Sequence, residues 1–126
     1  MKQLAAIFAL AICACGAPFD NTVFEANREQ RASTLAGRAC DRYADCNTFA
    51  SGQTYQTRTD CEADYKAKAM NLWPSDKCGN GQINDAKFQQ CLDRVAVQAC
   101  TQSFFDSVSA LGECNASNVC SDPRRD

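Results

Sequence analysis

Residues 76–88 have the composition of a calcium-binding loop. An EF-hand loop places oxygen ligands at positions 1, 3 and 5, glycine at position 6 and a bidentate glutamate at position 12. Asp76 and Gly81 fall at positions 1 and 6, but Cys78 stands at position 3 and Lys87 at position 12. Because a cation replaces the glutamate and its two ligand oxygens, the sequence predicts no metal site and no cofactor.

The same stretch carries the signals of a helix start. Ile83 precedes the N-cap residue Asn84, and Phe88 stands four positions after Asn84, which is the spacing of a hydrophobic staple. The glycines within 79–81 permit a tight turn that brings Cys78 back toward a disulfide partner. We therefore expect a stapled helix start rather than a calcium loop.

Residues that commonly carry enzymatic catalysis are scarce. The chain has no histidine, which excludes Ser-His-Asp triads, Cys-His pairs and histidine-metal sites. No two cysteines are separated by two residues, so the redox motif of thioredoxin-like proteins is absent. Carboxylate pairs such as Asp60 and Asp64 have the spacing of a solvated helix face. We predict that the chain is not an enzyme, and its formal net charge of −2 without a basic patch predicts no nucleic-acid partner.

Cysteine is the most informative residue type in the sequence. Of ten cysteines, Cys13 and Cys15 fall near the N-terminus and the other eight are concentrated further along the chain. An even number at this density is typical of a disulfide scaffold in an exported protein, so we predict four bridges. The eight cysteines are Cys40, Cys46, Cys61, Cys78, Cys91, Cys100, Cys114 and Cys120.

Two of the pairings are predicted from short connections between helices. A Cys46–Cys61 bridge would join the end of the first helix to the start of the second. A Cys100–Cys114 bridge would close in the same way around a fourth helix. The remaining four cysteines have three possible pairings, and the sequence does not choose among them.

The N-terminus has the form of an export signal. Lys2 precedes an apolar run over residues 4–14, which is shorter than the roughly 20 residues that span a bilayer. The run leads into Ile12–Cys15, which resembles a bacterial lipobox, so we predict that Cys15 is S-diacylated and N-acylated. The alternative is ordinary signal cleavage after Ala17, which would release a soluble protein.

The first helix is predicted to begin at a capping box formed by Thr22 and Glu25. Its part before about residue 32, including Arg28, should be solvated and frayed, because apolar residues recur at helical spacing only further on. The face expected to be buried contains Leu35, Ala36, Ala39, Cys40 and Tyr43.

The second helix is predicted to begin at a capping box of Thr59 and Glu62. It should end near Trp73, because the ring of Pro74 disfavours helical backbone at the residue before it. Its buried face should contain Cys61, Tyr65, Ala69 and Leu72.

A third helix, starting at Asn84, has the clearest helical periodicity in the chain. Its apolar face contains Phe88, Cys91, Leu92, Val95 and Ala99. A short fourth helix over 103–111 should stop at Gly112 in the left-handed conformation.

Since no alternating run of strand length occurs, the predicted class is all-α, a small disulfide-stapled bundle of about four helices. The predicted organisation is a lipoprotein signal peptide over 1–14, a tether over 15–21, a helical Cys-rich domain over 22–120 and a flexible tail over 121–126.

The layout of the cysteines also resembles a known group of proteins. The segments that carry the resemblance are Cys40-Asp-Arg-Tyr-Ala-Asp-Cys46, Thr59-Asp-Cys61-Glu62, Cys78 with Asn80-Gly81-Gln-Ile83, Phe88-Gln-Gln-Cys91-Leu92, Cys100 and Glu113-Cys114. This layout is similar to that of the small Cys-rich lipoproteins of myxobacteria and their relatives, which are families of unknown function. The resemblance implies export and membrane anchoring, and it supplies no catalytic residues.

The predicted function is that of a lipid-anchored, exported protein with a non-catalytic binding or structural role in the cell envelope. The membrane would be contacted through the N-terminal lipid, in the outer membrane facing the periplasm or the surface, and the protein partner would be another envelope protein. The aromatic residues Phe19, Phe24, Phe49 and Tyr55 could form a contact surface, or some of them could pack on the small core. The alternatives are an accessory lipoprotein of a secreted-metabolite pathway, a soluble secreted effector or inhibitor, and an enzyme whose site the sequence does not reveal.

Overall fold

The computed structural model describes residues 21–79, 82–100 and 112–120. Within these ranges the chain forms helices and turns without any strand, and this confirms the predicted all-α class. The elements are α1 (Asn21–Cys46), α2 (Arg58–Leu72), α3 (Ser75–Cys78), α4 (Asp85–Ala96), a 3₁₀ turn (Gly112–Cys114) and α5 (Ala116–Val119). The predicted signal peptide, Cys15, the helix over 103–111 and the tail over 121–126 lie outside the described residues.

The largest helix interface lies between α1 and α2. The predicted face of α1 is confirmed, and Ala32 extends it by one turn toward the N-terminus. The small alanines on this face let the two helix backbones approach closely. The buried residues of α1 are Ala32, Leu35, Ala36, Ala39, Cys40 and Tyr43, and those of α2 are Cys61, Tyr65 and Ala69.

The N-terminal half of α1 is anchored to the end of α2, contrary to the prediction that Arg28 is solvated. The Arg28 guanidinium donates hydrogen bonds to the carbonyl oxygen of Trp73 at 2.8 Å and to that of Met70 at 3.3 Å. The last carbonyls of a helix lack partners within the helix and carry partial negative charge, which makes them good acceptors for arginine. The sequence missed this contact because it joins residues more than forty positions apart.

The N-terminus of α2 lies two residues before the predicted capping box, so the prediction of Thr59 as the N-cap was wrong. The Thr57 hydroxyl accepts a hydrogen bond from the Asp60 amide at 3.1 Å, and the Asp60 carboxylate accepts one from the Thr57 amide at 3.2 Å. Glu62, which a box at Thr59 would use, pairs instead with Arg58 at 2.7 Å. The predicted end of α2 is confirmed, because the helix stops at Leu72 before Trp73 and Pro74.

The N-terminus of α4 agrees with the prediction, while its C-terminus does not. Asn84 is the N-cap, and its side-chain oxygen accepts a hydrogen bond from the Lys87 amide at 3.1 Å. The residues that α4 buries are Phe88, Cys91, Leu92 and Val95. The helix ends at Ala96, and Ala99 is exposed rather than part of the apolar face. The chain must leave the helix at this point because Cys100 is bonded to Cys46 of α1.

Trp73 connects the helical hairpin to the C-terminal turn. Its side chain is fully buried, and its indole nitrogen donates a hydrogen bond to the Cys114 carbonyl oxygen at 2.8 Å. The Phe88 ring contacts the Trp73 ring edge to face at 5.6 Å between centroids. Gly112 was expected to stop a helix in the left-handed conformation, but it is the first residue of the 3₁₀ turn. Among the described glycines, the one with positive φ is Gly52 and not Gly112.

Candidate functional site: four disulfides and the surface around them

All eight cysteines between residues 40 and 120 are joined in four disulfides. The pairs are Cys40–Cys61, Cys46–Cys100, Cys78–Cys120 and Cys91–Cys114. The predicted pairings Cys46–Cys61 and Cys100–Cys114 were therefore both wrong. Among the pairings that the sequence left open, Cys78–Cys120 is the one that the structure contains.

Helix geometry explains why Cys40 and not Cys46 reaches α2. Six residues along an α-helix correspond to a rotation that places the two side chains about 120° apart on the helix surface. Cys40 therefore faces the helical hairpin, where it meets Cys61 of α2 with 6.0 Å between Cα atoms. Cys46 faces the chain segment after α4, where it meets Cys100. Short sequence separation favoured Cys46 as the partner of Cys61, but the direction of the side chain decides the pairing.

The four bonds differ in their access to solvent. Six of the cysteines are buried, so that the Cys40–Cys61, Cys78–Cys120 and Cys91–Cys114 bonds belong to the core. Cys100 is exposed and Cys46 is half-buried. The Cys46–Cys100 bond is thus the most accessible disulfide of the fold.

An arginine lies beside this accessible disulfide. The Arg42 guanidinium donates a hydrogen bond through Nε to the Gln98 carbonyl oxygen at 2.7 Å, two residues before Cys100. It also pairs with Asp45 at 3.5 Å. Arg42 precedes Cys46 by one turn of α1, so both side chains occupy the same side of the helix.

Phe49 and Tyr55 pack on the core, which is one of the two alternatives that the sequence left open for them. Phe19 and the side chain of Phe24 lie outside the described part of the chain. The Tyr43 ring lies 5.2 Å from the ring of Phe49 and 5.2 Å from that of Tyr55, measured between centroids. Tyr55 is buried, and its ring also contacts that of Tyr65. These aromatic contacts hold the loop between α1 and α2 against the hairpin.

A small polar cluster joins this loop to α2. The Tyr55 hydroxyl donates a hydrogen bond to the Asp64 carboxylate, which also pairs with the Lys68 ammonium at 2.8 Å. Burial alone would raise the pKa of Asp64, but the hydrogen bonds from Lys68 and Tyr55 outweigh burial and lower that pKa. The aspartate is therefore held in its charged form as a structural acceptor.

The stretch that resembles a calcium loop has a different structure. Asp76 and Cys78 lie in the short helix α3, and Cys78 is bonded to Cys120. Neither residue is arranged as a ligand in an extended loop. Across the described parts of the chain, no group of three or more His, Cys, Asp or Glu side chains could hold a metal ion.

A shallow groove runs along the end of α4 toward the 3₁₀ turn. Its volume is about 510 Å³, and it is largely open to solvent. The lining residues are Gln90, Asp93, Arg94, Val97 and Glu113. Val97 is 70% exposed, which is unusual for a large aliphatic side chain. The groove combines one apolar side chain with charges of both signs.

These features define a class of protein, namely a small all-α domain stapled by four disulfides, which is typical of an oxidising, exported environment. Residues 40–122 match the Family of unknown function (DUF6184), and the chain belongs to that family. The match begins at the first cysteine of the scaffold and includes the last. No curated protein and no solved structure matches the chain. None of the helices in the described ranges is long and apolar enough to cross a membrane.

Proposed function

We propose that the protein is exported and anchored by lipid at Cys15, and that it has a non-catalytic binding or structural role in the cell envelope. The observation that carries this proposal is that the eight cysteines of the domain pair among themselves. The disulfide set is complete without Cys15, so this cysteine can carry lipid at no cost to the fold. Four disulfides also suit a chain that folds outside the reducing cytosol.

The N-terminal sequence supports the lipid anchor. Cys15 directly follows an apolar run that ends in Ala14, with Ile12 three positions before the cysteine. A single acyl chain gives only marginal membrane binding, whereas a diacylglycerol with an added N-acyl chain makes release slow. The domain would then stand at the membrane surface on the short tether of residues 15–21.

The non-catalytic role is supported by the chemistry of the side chains. The chain has no histidine, and the described charged residues chiefly form ion pairs between and along helices, such as Lys66 with Glu29 at 2.5 Å and Arg58 with Asp41 at 2.6 Å. The buried polar contacts, such as that of Trp73 with Cys114, join elements of the fold. Such a domain presents a rigid surface and is suited to holding a partner.

The test of the anchor uses the full chain expressed in a bacterium that processes lipoproteins. The expected result is that the wild-type protein is recovered with the membranes and that its N-terminal residue is a triacylated Cys15, seen by mass spectrometry. Cys15→Ala should move the protein to the soluble fraction. Cys13→Ala, the control, should leave it in the membranes, because Cys13 is removed with the signal peptide.

Two results would overturn the anchor. An unmodified Cys15 in the mature protein would exclude lipidation. A mature N-terminus directly after Ala17 would show ordinary signal cleavage and would favour the alternative of a soluble secreted effector or inhibitor.

A further inference from the structure

We propose that the Cys46–Cys100 disulfide is a thiol–disulfide exchange site whose reaction partners are dithiol reductants. Exchange requires that a thiolate reach one sulfur of the bond, so access decides which disulfide reacts. Cys100 is exposed and Cys46 is half-buried, whereas the six cysteines of the other three bonds are buried. The folded protein therefore presents one bond to a thiol reagent and protects three.

The position of the bond allows it to open without disrupting the core. Cys46 is the last residue of α1, and Cys100 lies beyond the end of α4 at Ala96. The α1–α2 interface keeps its own bridge, Cys40–Cys61, and the buried face of α4 keeps Cys91–Cys114. Opening the bond would release the segment after α4 from the end of α1.

One cation, Arg42, lies on the same side of α1 as Cys46. Arg42 precedes Cys46 by one helical turn, and its guanidinium reaches the carbonyl oxygen of Gln98 beside Cys100. A neighbouring cation stabilises a thiolate, which makes the Cys46 sulfur a better leaving group. Asp45, which pairs with Arg42 at 3.5 Å, and the partial negative charge at the C-terminal end of α1, where Cys46 lies, both offset part of this effect.

The exchange balances with a dithiol as the reductant. One thiolate of the dithiol attacks the Sγ of Cys100, the Cys46–Cys100 bond breaks, and Cys46 leaves as a thiolate. The second thiol of the reagent then attacks the mixed disulfide and releases the Cys100 thiolate. The dithiol is oxidised to its own disulfide, and the protein bond gains two electrons and two protons. The reverse sequence with an oxidised dithiol restores the bond.

The test is graded reduction of the folded, full-length protein with dithiothreitol. Samples are quenched with N-ethylmaleimide at intervals, and labelled cysteines are mapped by mass spectrometry. Cys46 and Cys100 should be labelled together at a rate about tenfold higher than any other pair, while helical circular dichroism is retained. The control is the same reaction in denaturant, where the four disulfides should be reduced at similar rates. Simultaneous loss of all four bonds in the folded protein, or earlier reduction of a buried pair, would overturn the proposal.

A second experiment tests the role of Arg42 as a positioning residue. In Cys100→Ser, the thiol of Cys46 is free, and its rate of alkylation by iodoacetamide at neutral pH reports its thiolate fraction. Adding Arg42→Gln should slow alkylation by roughly threefold, and the difference should shrink at high salt. Arg38→Gln, at an exposed position one turn earlier on α1, is the control and should change nothing. Equal rates with and without Arg42 would refute its electrostatic role.

Discussion

Removal of the Cys40–Cys61 bridge tests how the fold is stabilised. Both side chains are fully buried, and the bond joins α1 to α2 across the largest helix interface. We expect the double variant Cys40→Ala, Cys61→Ala to fold, because the three other disulfides and the helix contacts remain. It should be much less stable than the wild-type protein.

The magnitude follows from the loop that the bond closes. The two cysteines are separated by 21 positions. In the chain-entropy account, a loop of this length restricts the unfolded chain by an amount worth about 3 kcal/mol at 25 °C. Loss of two buried sulfur atoms adds a smaller packing term, so the total should be about 3–4 kcal/mol. The melting temperature should fall by roughly 15 °C.

Equilibrium unfolding in urea, without reductant, measures this difference. Because the bond acts mainly on the unfolded state, the variant should also show a larger dependence of the unfolding free energy on urea, since its unfolded chain is more expanded. Leu35→Ala is the control. Leu35 is buried on the same face of α1, and its truncation should cost about 2–5 kcal/mol by packing alone, without changing the urea dependence.

Two outcomes would refute this reasoning. A loss below about 1 kcal/mol would show that Cys40–Cys61 does not restrict the unfolded chain as the chain-entropy account requires. If the free energy of unfolding falls by the full expected amount while its dependence on urea is unchanged, the stabilisation comes from packing in the native state instead.

Four further substitutions test single contacts. Thr57→Ala removes the cap of α2 and should lower the free energy of unfolding by about 1 kcal/mol, whereas Thr59→Ala should change it by less than about 0.5 kcal/mol. Arg28→Met removes two hydrogen bonds to the end of α2 and should lower the free energy of unfolding by about 1–3 kcal/mol. Urea unfolding measures the stability of these three variants. Because the folded pKa of Asp64 lies below its ordinary value of 3.8, its charged form stabilises the fold above that value, and this contribution is lost as the pH falls through the folded pKa. Asp64→Asn should therefore weaken the dependence of unfolding on pH in acid, followed by circular dichroism.

Each of these predictions has a result that would contradict it. A larger loss for Thr59→Ala than for Thr57→Ala would place the cap of α2 where the sequence suggested. Arg28→Met should cost more than the same change at the exposed Arg38, and equal costs would show that the contact with α2 is not stabilising. An acid transition unchanged by Asp64→Asn would mean that this carboxylate is not held in its charged form by its neighbours.

Local sequence signals predicted the start of α4 and the end of α2 well. Asn84 and the apolar spacing that follows it act within one helix, and Pro74 limits α2 by its own backbone. Such effects act between residues that are close in the sequence, so they can be predicted from the sequence alone. The cap at Thr57 was missed because two threonines, each followed by an acidic residue three positions later, compete for the same role.

The disulfide pairing could not be predicted from spacing in the same way. Loop entropy favours the shortest connection, but it changes slowly with loop length. The rotation along α1 between Cys40 and Cys46 is a larger constraint, since it directs the two side chains to different neighbours. The accessible bond therefore joins residues 54 positions apart. The contact of Arg28 with the end of α2 was missed for a related reason, because it exists only once the hairpin has formed.

Peptide mapping of the oxidised, full-length protein without reduction tests the central claim of this account most directly. Proteolysis followed by mass spectrometry identifies each pair of peptides that a disulfide joins. The expected pairs are Cys40–Cys61, Cys46–Cys100, Cys78–Cys120 and Cys91–Cys114. A Cys46–Cys61 peptide pair, or a free thiol among these eight cysteines, would contradict the account.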